Sequence, residues 1–449
     1  MRWMLLLSAL CLPGVVFAQD NLSGRWTVSS DYLGTRVYTP LNLKQQGDKL
    51  TGDFDGDPLE GTVHGSTVQF LAKDAQGGTE ECNATLSKGT LRGSLVFREM
   101  EAGHPTSAVT AAFTATLAPQ RRTGAPQRHD FKPESFSRQF SALNKPVLTV
   151  WPGDSIHTTT VDAAGTDENG VSRVFGGNPE TGPFYVETAV PGDTLVVTIK
   201  RLRLNRDWAL STDGVVERGL TNDLAVTMKD GFKPVRWNLD LQRGLATPEK
   251  PGEHLKGYSV PVRPMLGCVA TAPSPIQAAP GTGDSGRWGG NMDFNEIVEG
   301  ATVYLPVNVP GALLYFGDGH ALQGDGELNG DALETSMEVE VTVDVISGQH
   351  PPGPRVESAT YFMAMGLDGS LDGAFRSATE NMASWLSDTY QLTPSETAQV
   401  LGTLAEYKVS EVADRNAGVV VKLRKDRLTG LKAMKASPDA GAGRSLSGG

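Results

Sequence analysis

Apolar and β-branched residues alternate with polar ones in short runs along most of the chain. Examples are Arg25-Trp26-Thr27-Val28, Thr67-Val68-Gln69-Phe70-Leu71, Ser94-Leu95-Val96-Phe97 and Glu338-Val339-Glu340-Val341-Thr342-Val343. A period of two places successive side chains on opposite faces of a strand, so each run reads as a β-strand. In residues 20–118, Gly47-Asp48, Gly65-Ser66 and Gly77-Gly78 break the runs at short spacing, which predicts a small antiparallel barrel or sandwich. Asp53-Phe54-Asp55-Gly56-Asp57 has the outline of a calcium loop, but His64 stands where the twelfth-position glutamate belongs; it reads as an ordinary turn. Residues 119–143 are polar and aperiodic, a linker. From 144 to 436 the strands lengthen, and two of them follow the same turn, Pro152-Gly153-Asp154 and Pro191-Gly192-Asp193. Within 358–429 the period changes to that of a helix through Leu371, Ala374, Phe375, Ala378, Met382, Trp385 and Leu386. Thr393-Pro394-Ser395-Glu396 supplies a capped start for a second helix through Leu401, Leu404 and Tyr407. The expected architecture is mainly β, with a helical part at 358–429 and a separate N-terminal antiparallel β domain.

Composition sharpens this picture. The chain of 449 residues carries 52 glycines and 27 prolines, in keeping with many turns, and a formal charge of −12 without a basic cluster. That balance excludes nucleic acid or an anionic membrane as the main partner. Residues 1–18 combine Arg2, an apolar run from Trp3 to Leu12, a Pro13-Gly14 break and Val16-Phe17-Ala18, the pattern of a secretory signal cut after Ala18. The expected mature protein is secreted or periplasmic, with no segment that inserts in a membrane. Residues 437–449 are rich in Gly, Ser and Ala and are expected to be a disordered tail. Three cysteines provide neither a disulfide framework nor a four-cysteine metal site.

The densest chemistry lies in Tyr315-Phe316-Gly317-Asp318-Gly319-His320-Ala321-Leu322-Gln323-Gly324-Asp325-Gly326-Glu327. Interleaved glycines free the backbone, so that polar side chains can converge. Asp318 and His320 share a face of an extended strand, and imidazole nitrogen with carboxylate oxygen suits zinc or a similar divalent ion. Read by composition alone, a solvated Asp/Gly loop is an equal alternative. Trp288-Gly289-Gly290-Asn291-Met292-Asp293 combines a backbone that a ligand can approach closely with an amide and a carboxylate; the plain alternative is a tight turn. In His157-Thr158-Thr159-Thr160-Val161-Asp162, the carboxylate sits at a strand end, and Asp162 is expected to point inward as a ligand. Glu187 follows the apolar run 182–186 and is expected to be buried. Cys268 lies among apolar residues, which fits a packed thiol better than a nucleophile.

Taken in order, Gly182-Pro183-Phe184-Tyr185-Val186-Glu187 before Pro191-Gly192-Asp193, Gly289-Gly290-Asn291-Met292-Asp293, Leu305-Pro306-Val307 and the segment from Gly317 to Glu327 resemble the acetamidase/formamidase family. The resemblance covers about residues 130–430, leaving the N-terminal β unit outside it. It implies a β-rich fold with an added helical part, hydrolysis of C–N bonds in small linear amides, and a bound divalent metal. Relatives often carry histidine where this chain has Trp288, and export is a second departure. The expected ligands are Asp162, His320, Glu327 and Asp318, with zinc favoured and calcium the alternative. Asp293, Asn291 and Glu187 are the expected catalytic groups, and Trp288, Gly290 and Gln323 line the expected substrate pocket. The expected partner is a small amide, and a homo-oligomer is compatible. Two other functions fit the same residues: a non-catalytic exported protein that binds small ligands or sugars, and a thiol amidase built on Cys268.

Overall fold

The computed structural model describes residues 21–101, 103–228 and 231–432. Residues 1–18 and 437–449, expected as signal and tail, lie outside them. The described residues fall into two compact units, 21–26 with 41–117 and 27–40 with those from 118 onward. No helix among the described residues is long and apolar enough to cross a membrane.

Eight strands between Gly24 and Leu117 close into an antiparallel barrel, in which Gly24–Tyr32 pairs with both Thr35–Gln46 and Val109–Leu117. The alternation expected from sequence is visible in Thr67–Lys73, where Val68, Phe70 and Ala72 are buried and their neighbours exposed. Trp26, Leu41, Leu50, Phe54, Leu95 and Phe113 complete the interior. Asp55 and Gly56 have φ of 54° and 93° and form the two-residue hairpin between Lys49–Phe54 and Asp57–His64, the left-handed turn that suits such a connection.

The second unit packs two sheets face to face. A nine-stranded sheet runs in the order Arg128–Asp130, Ser155–Thr159, Met337–Ile346, Thr194–Leu204, Thr302–Pro306, Arg355–Glu357, Tyr361–Asp368, Ala417–Arg424, Glu406–Glu411. A six-stranded sheet follows Leu148–Val150, Thr181–Val186, Leu314–His320, Met265–Ala270, Gly289–Asn291, Ser285–Gly286. Val197, Ile199, Val339, Val341 and Val343 of the first meet Phe184, Leu266, Leu314 and Phe316 of the second in one buried core. The two Pro-Gly-Asp turns have the same construction. Gly153 and Gly192 take φ of 95° and 89°, while buried Asp154 and Asp193 accept the backbone N–H of Trp151 and Val190 at 3.0 and 3.1 Å. Each turn feeds a strand of the nine-stranded sheet.

Residues 358–429 are less helical than expected. Helices Leu371–Tyr390 and Pro394–Leu404 lie between strands, and Tyr407 belongs to the strand Glu406–Glu411. The long helix buries Ala374, Ala378, Met382 and Leu386 as its spacing predicts, but Leu371 and Phe375 stay exposed, with Phe375 stacked on Tyr407 at 4.3 Å. The expected capping box is present: Thr393 Oγ1 accepts the Glu396 N–H and Glu396 returns a bond to the Thr393 N–H at 2.8 Å. The long helix approaches the sheet at Gly366, where a Cβ would lie 2.0 Å from the Ala374 carbonyl oxygen and 2.3 Å from the Ala378 nitrogen. In urea unfolding, Gly366→Ala is expected to cost about 3 kcal/mol by forcing helix and sheet apart, and Thr393→Ala about 1 kcal/mol by removing a cap. Equal effects would show that the helix–sheet contact at Gly366 can loosen to admit a methyl group.

Candidate functional site

Strand Leu314–His320 is fully buried and central in the six-stranded sheet. Its first half is apolar, with Phe316 stacked on Phe184 at 5.4 Å; its second half carries Asp318 and His320. Glycines on this strand and its neighbour make room for charge. A Cβ at Gly267 would lie 2.4 Å from Asp318 Oδ2 and 2.5 Å from Asp293 Oδ1, and one at Gly317 would lie 2.5 Å from Glu180 Oε2. Any larger residue at these positions would fill the space the carboxylates occupy.

His320 Nε2 lies 3.0 Å from Glu334 Oε1, 3.3 Å from Asp318 Oδ2 and 3.8 Å from Asp293 Oδ1. Its Nδ1 lies 2.9 Å from Gln323 Oε1, and the Gln323 amide nitrogen donates to the carbonyls of Asp293 and Ser410. Because that nitrogen is committed as a donor, Gln323 Oε1 accepts from Nδ1–H. In the neutral ring Nε2 then presents a lone pair to the acids. Two sets of potential ligand atoms lie within 4.8 Å of one another, Asp293–Asp318–His320 and His320–Glu327–Glu334. Glu327 also accepts the Ala332 N–H at 3.0 Å.

Several of these atoms are buried without a hydrogen-bond partner: Asp293 Oδ1, Asp318 Oδ1, Glu334 Oε2, His320 Nε2 and both oxygens of Glu180. Two carboxylate oxygens stand close to His320 Nε2, yet neither sits where a hydrogen bond needs it. Burial, then the charges of Glu327 and Asp318, push the Asp293 carboxyl well above its ordinary range. Burial pushes Glu334 up to about 8, with His320 opposing and Asp318 reinforcing the shift. For His320, burial disfavours the charged ring, but Glu334 and Asp318 outweigh it and raise the pKa well above that of a free imidazole. Asp293, Asp318 and Glu327 also take φ of 40°, 49° and 47°, left-handed conformations that side chains other than glycine adopt only when the surroundings hold them there. One imidazole nitrogen and several unmatched carboxylate oxygens, desolvated together, form a donor set that a divalent cation would satisfy.

Asp162, expected as a ligand, is not part of this cluster. It is buried, but its Oδ2 pairs with Arg206 Nη2 at 2.6 Å and its Oδ1 accepts the Thr166 N–H at 2.8 Å. Both oxygens are thus satisfied without a metal. His157 sits between Asp130 and Glu338 at 2.7 and 3.0 Å in a partly exposed ion pair. Glu187 is half-buried in the turn after Thr181–Val186 and takes no part either. The apolar run 182–186 has a glutamate near each end, and the one that is fully buried is Glu180. Asn291 lies beside the cluster with its amide engaged: Nδ2 donates to Asp293 Oδ2 and Asp414 Oδ2, both at 2.6 Å, and Oδ1 accepts from Asn178 at 3.1 Å. It holds Asp293 in place and has no proton left for an oxyanion. Gly290 serves close strand contact, since a Cβ would lie 2.3 Å from the Asp284 carbonyl oxygen. Trp288 packs partly buried beside Cys268 and Ala270. Burial, then Glu180 and Asp318, push the Cys268 thiol well up, the opposite of nucleophile activation. Glu180, Glu334 and Asp414 are site residues that the sequence reading does not name; Glu180 stands in the glycine-rich stretch from Gly176 to Gly182, a signal that could have found it, whereas Glu334 and Asp414 carry no such local mark.

The sequence model of the Acetamidase/Formamidase family matches residues 276–363, a segment that contains Asn291, Asp293, Asp318, His320, Gln323, Glu327 and Glu334. An acetamidase of Mycolicibacterium smegmatis is 43% identical over 61 residues, which spans 13% of this chain and 15% of that protein. Among solved structures, a predicted acetamidase/formamidase of Thermoanaerobacter tengcongensis is 29% identical over 69% of this chain and 99% of its own, with a TM-score of 0.58. An acetamidase of Bacillus halodurans is 27% identical over 68% of this chain and 99% of its own, also with a TM-score of 0.58.

The two kinds of buried acid respond to mutation with opposite sign. Arg206→Ala is expected to cost about 3–5 kcal/mol by leaving Asp162 buried and unpaired. In chelator-treated protein Asp318→Asn is expected to raise the melting temperature, because it removes one of several mutually repelling carboxylates. Calorimetry on both variants checks this; a lower melting temperature for Asp318→Asn would refute the crowding.

Proposed function

The chain belongs to the acetamidase/formamidase family, and on that premise we propose that it hydrolyses the C–N bond of small linear amides, using water to give ammonia and a carboxylate. The reading is carried by one observation, the buried set of His320 and unmatched carboxylates within the segment that the family model matches. Asp293, Asp318, His320 and Glu334 would hold a divalent ion, with Glu327 beside them. The imidazole nitrogen favours zinc over calcium, which prefers an all-oxygen shell. Such an ion supplies Lewis acidity, polarising the amide carbonyl and making water a stronger acid.

The remaining work belongs to the protein. Gln323 fixes the ring of His320 through Nδ1, and Asn291 fixes Asp293 through Nδ2. Burial excludes bulk water and strengthens each electrostatic contact. The leaving nitrogen must receive a proton, and Glu180 is the buried carboxyl with both oxygens unengaged that can carry it. A Cys268 nucleophile is disfavoured by its raised thiol, and His320, the histidine of the cluster, is turned to Gln323 and the acids instead. The non-catalytic reading gains no support from a set of strained, desolvated acids, which binding alone does not require. In this reading residues 1–18 are a secretory signal, which supports a mature protein outside the cytoplasm.

Purified protein is expected to contain about one divalent metal per chain by elemental analysis and to release ammonia from a linear amide in a chelator-sensitive way. His320→Ala should lose metal and turnover together; retention of both by the variant would sink the metal reading. Expression with export intact should yield a mature chain that begins at Gln19 by N-terminal sequencing, and a chain still beginning at Met1 would remove the export proposal.

A further inference from the structure

The segment between strand Trp208–Thr212 and the short helix Asn222–Thr227 touches two parts of the chain that serve the cluster. On one side the Val216 N–H donates to the Leu328 carbonyl at 2.8 Å, and Asn329 Nδ2 donates to the Thr212 carbonyl at 3.2 Å; Leu328 follows Glu327 directly. On the other side buried Val216 packs with Val412 and Ala417, which flank the turn that carries Asp414.

The exposed Arg218 of this segment grips that turn. Its guanidinium donates to the carbonyls of Asp414 and Arg415, the second at 2.6 Å, and to that of Gly369 at 3.4 Å. Residues 412–416 join Glu406–Glu411 to Ala417–Arg424 and lie outside both strands, so their polar backbone groups need partners from elsewhere. Glu411 accepts the Asp414 N–H at 3.2 Å, and the Val412 N–H donates to the Gly326 carbonyl at 3.0 Å. Arg218 takes the carbonyls. With the turn so held, Asp414 Oδ2 accepts from Asn291 Nδ2 at 2.6 Å, and the same nitrogen donates to Asp293 Oδ2 at 2.6 Å. A line of contacts thus runs from solvent to the acids around His320, through Arg218, Asp414, Asn291 and Asp293. Its charge gives Arg218 a second way to act. Burial and then Asp414 push Glu411 up to about 8, and Arg218 is among the groups that oppose the shift. The two routes ask different things of the side chain: any cation supplies charge, whereas three carbonyls at once suit a planar fork better than a compact ammonium.

We propose that Arg218 is a positioning residue for the candidate metal centre: by gripping the 414–415 turn it keeps Asp414 on Asn291, and so keeps Asp293 aimed at His320. This inference rests on the metal reading of the site and deepens it. Zn²⁺ affinity of the chelator-stripped full chain, measured by competition with a chromophoric chelator, tests it. The proteins compared are wild type, Arg218→Ala, Arg218→Lys, Asp414→Ala and the Arg218→Ala/Asp414→Ala double variant. Losing a partner behind a metal ligand costs about 10–100-fold in affinity. Asp414 and Arg218 stand behind that partner, Asn291, so each alanine variant is expected to bind Zn²⁺ about three- to tenfold more weakly. The double variant is expected to bind no more weakly than the worse single one, because both act on one contact. Arg218→Lys is expected to recover only part of the loss. Because Arg218 is exposed, its replacement leaves the core as it is, and Arg218→Lys keeps the comparison open should the alanine variant fold poorly. Unchanged affinity in either alanine variant, full recovery in Arg218→Lys, or a double loss equal to the product of the single ones overturns the proposal while leaving the metal reading intact. Zn²⁺ bound by none of the proteins, wild type included, overturns that reading and the proposal with it.

Discussion

Mutual repulsion among buried carboxylates governs the second unit. Asp293, Asp318, Glu327, Glu334 and Glu180 share a small, dry volume with one imidazole. Charges in such a place cost free energy unless they are paired, protonated or bound to a cation. Arg206, the buried arginine that reaches the Glu334 carbonyl, is committed to Asp162. The protein therefore keeps in its interior a demand that its own side chains leave unmet, and such a demand is more useful for binding than for folding.

The sandwich absorbs that cost by rigidity. Valines and phenylalanines of the two sheets lock the strands whose ends carry the acids. Gly267 and Gly317 keep the space open, and three acids are held in left-handed backbone conformations. Gln323 and Asn291 then fix the orientation of His320 and Asp293. Each device is modest alone. Together they leave the acids no way to swing apart and reach solvent.

Local pattern revealed much of this. Alternation gave the barrel and the long strands, because a period of two survives in the sequence whatever the strands later pack against. The Thr393 cap was legible because capping is a contact between residues three apart. Asp318, His320 and Gln323 stood out because the glycines that admit them are their chain neighbours. The helical part is shorter than its period suggests, because Tyr361–Asp368 pairs with Ala417–Arg424 across the two helices, and Glu406–Glu411 joins that pair as a hairpin. Asp162 and Glu187 could not be told from Glu180 and Glu334 by neighbours alone. Whether a carboxylate meets Arg206, solvent or other acids is decided by residues tens of positions away, and that pairing leaves no local mark.

The donors around His320 come from residues 180 to 334, and the brace on them, through Ser410 and Asp414, comes from the last hairpin of the described chain. A partly synthesised chain thus has the ligands but not the geometry. If a cation is held there, its capture would follow the docking of the C-terminal strands. The bound ion would act as a seal on the finished molecule, tightening a centre that resists closing by itself.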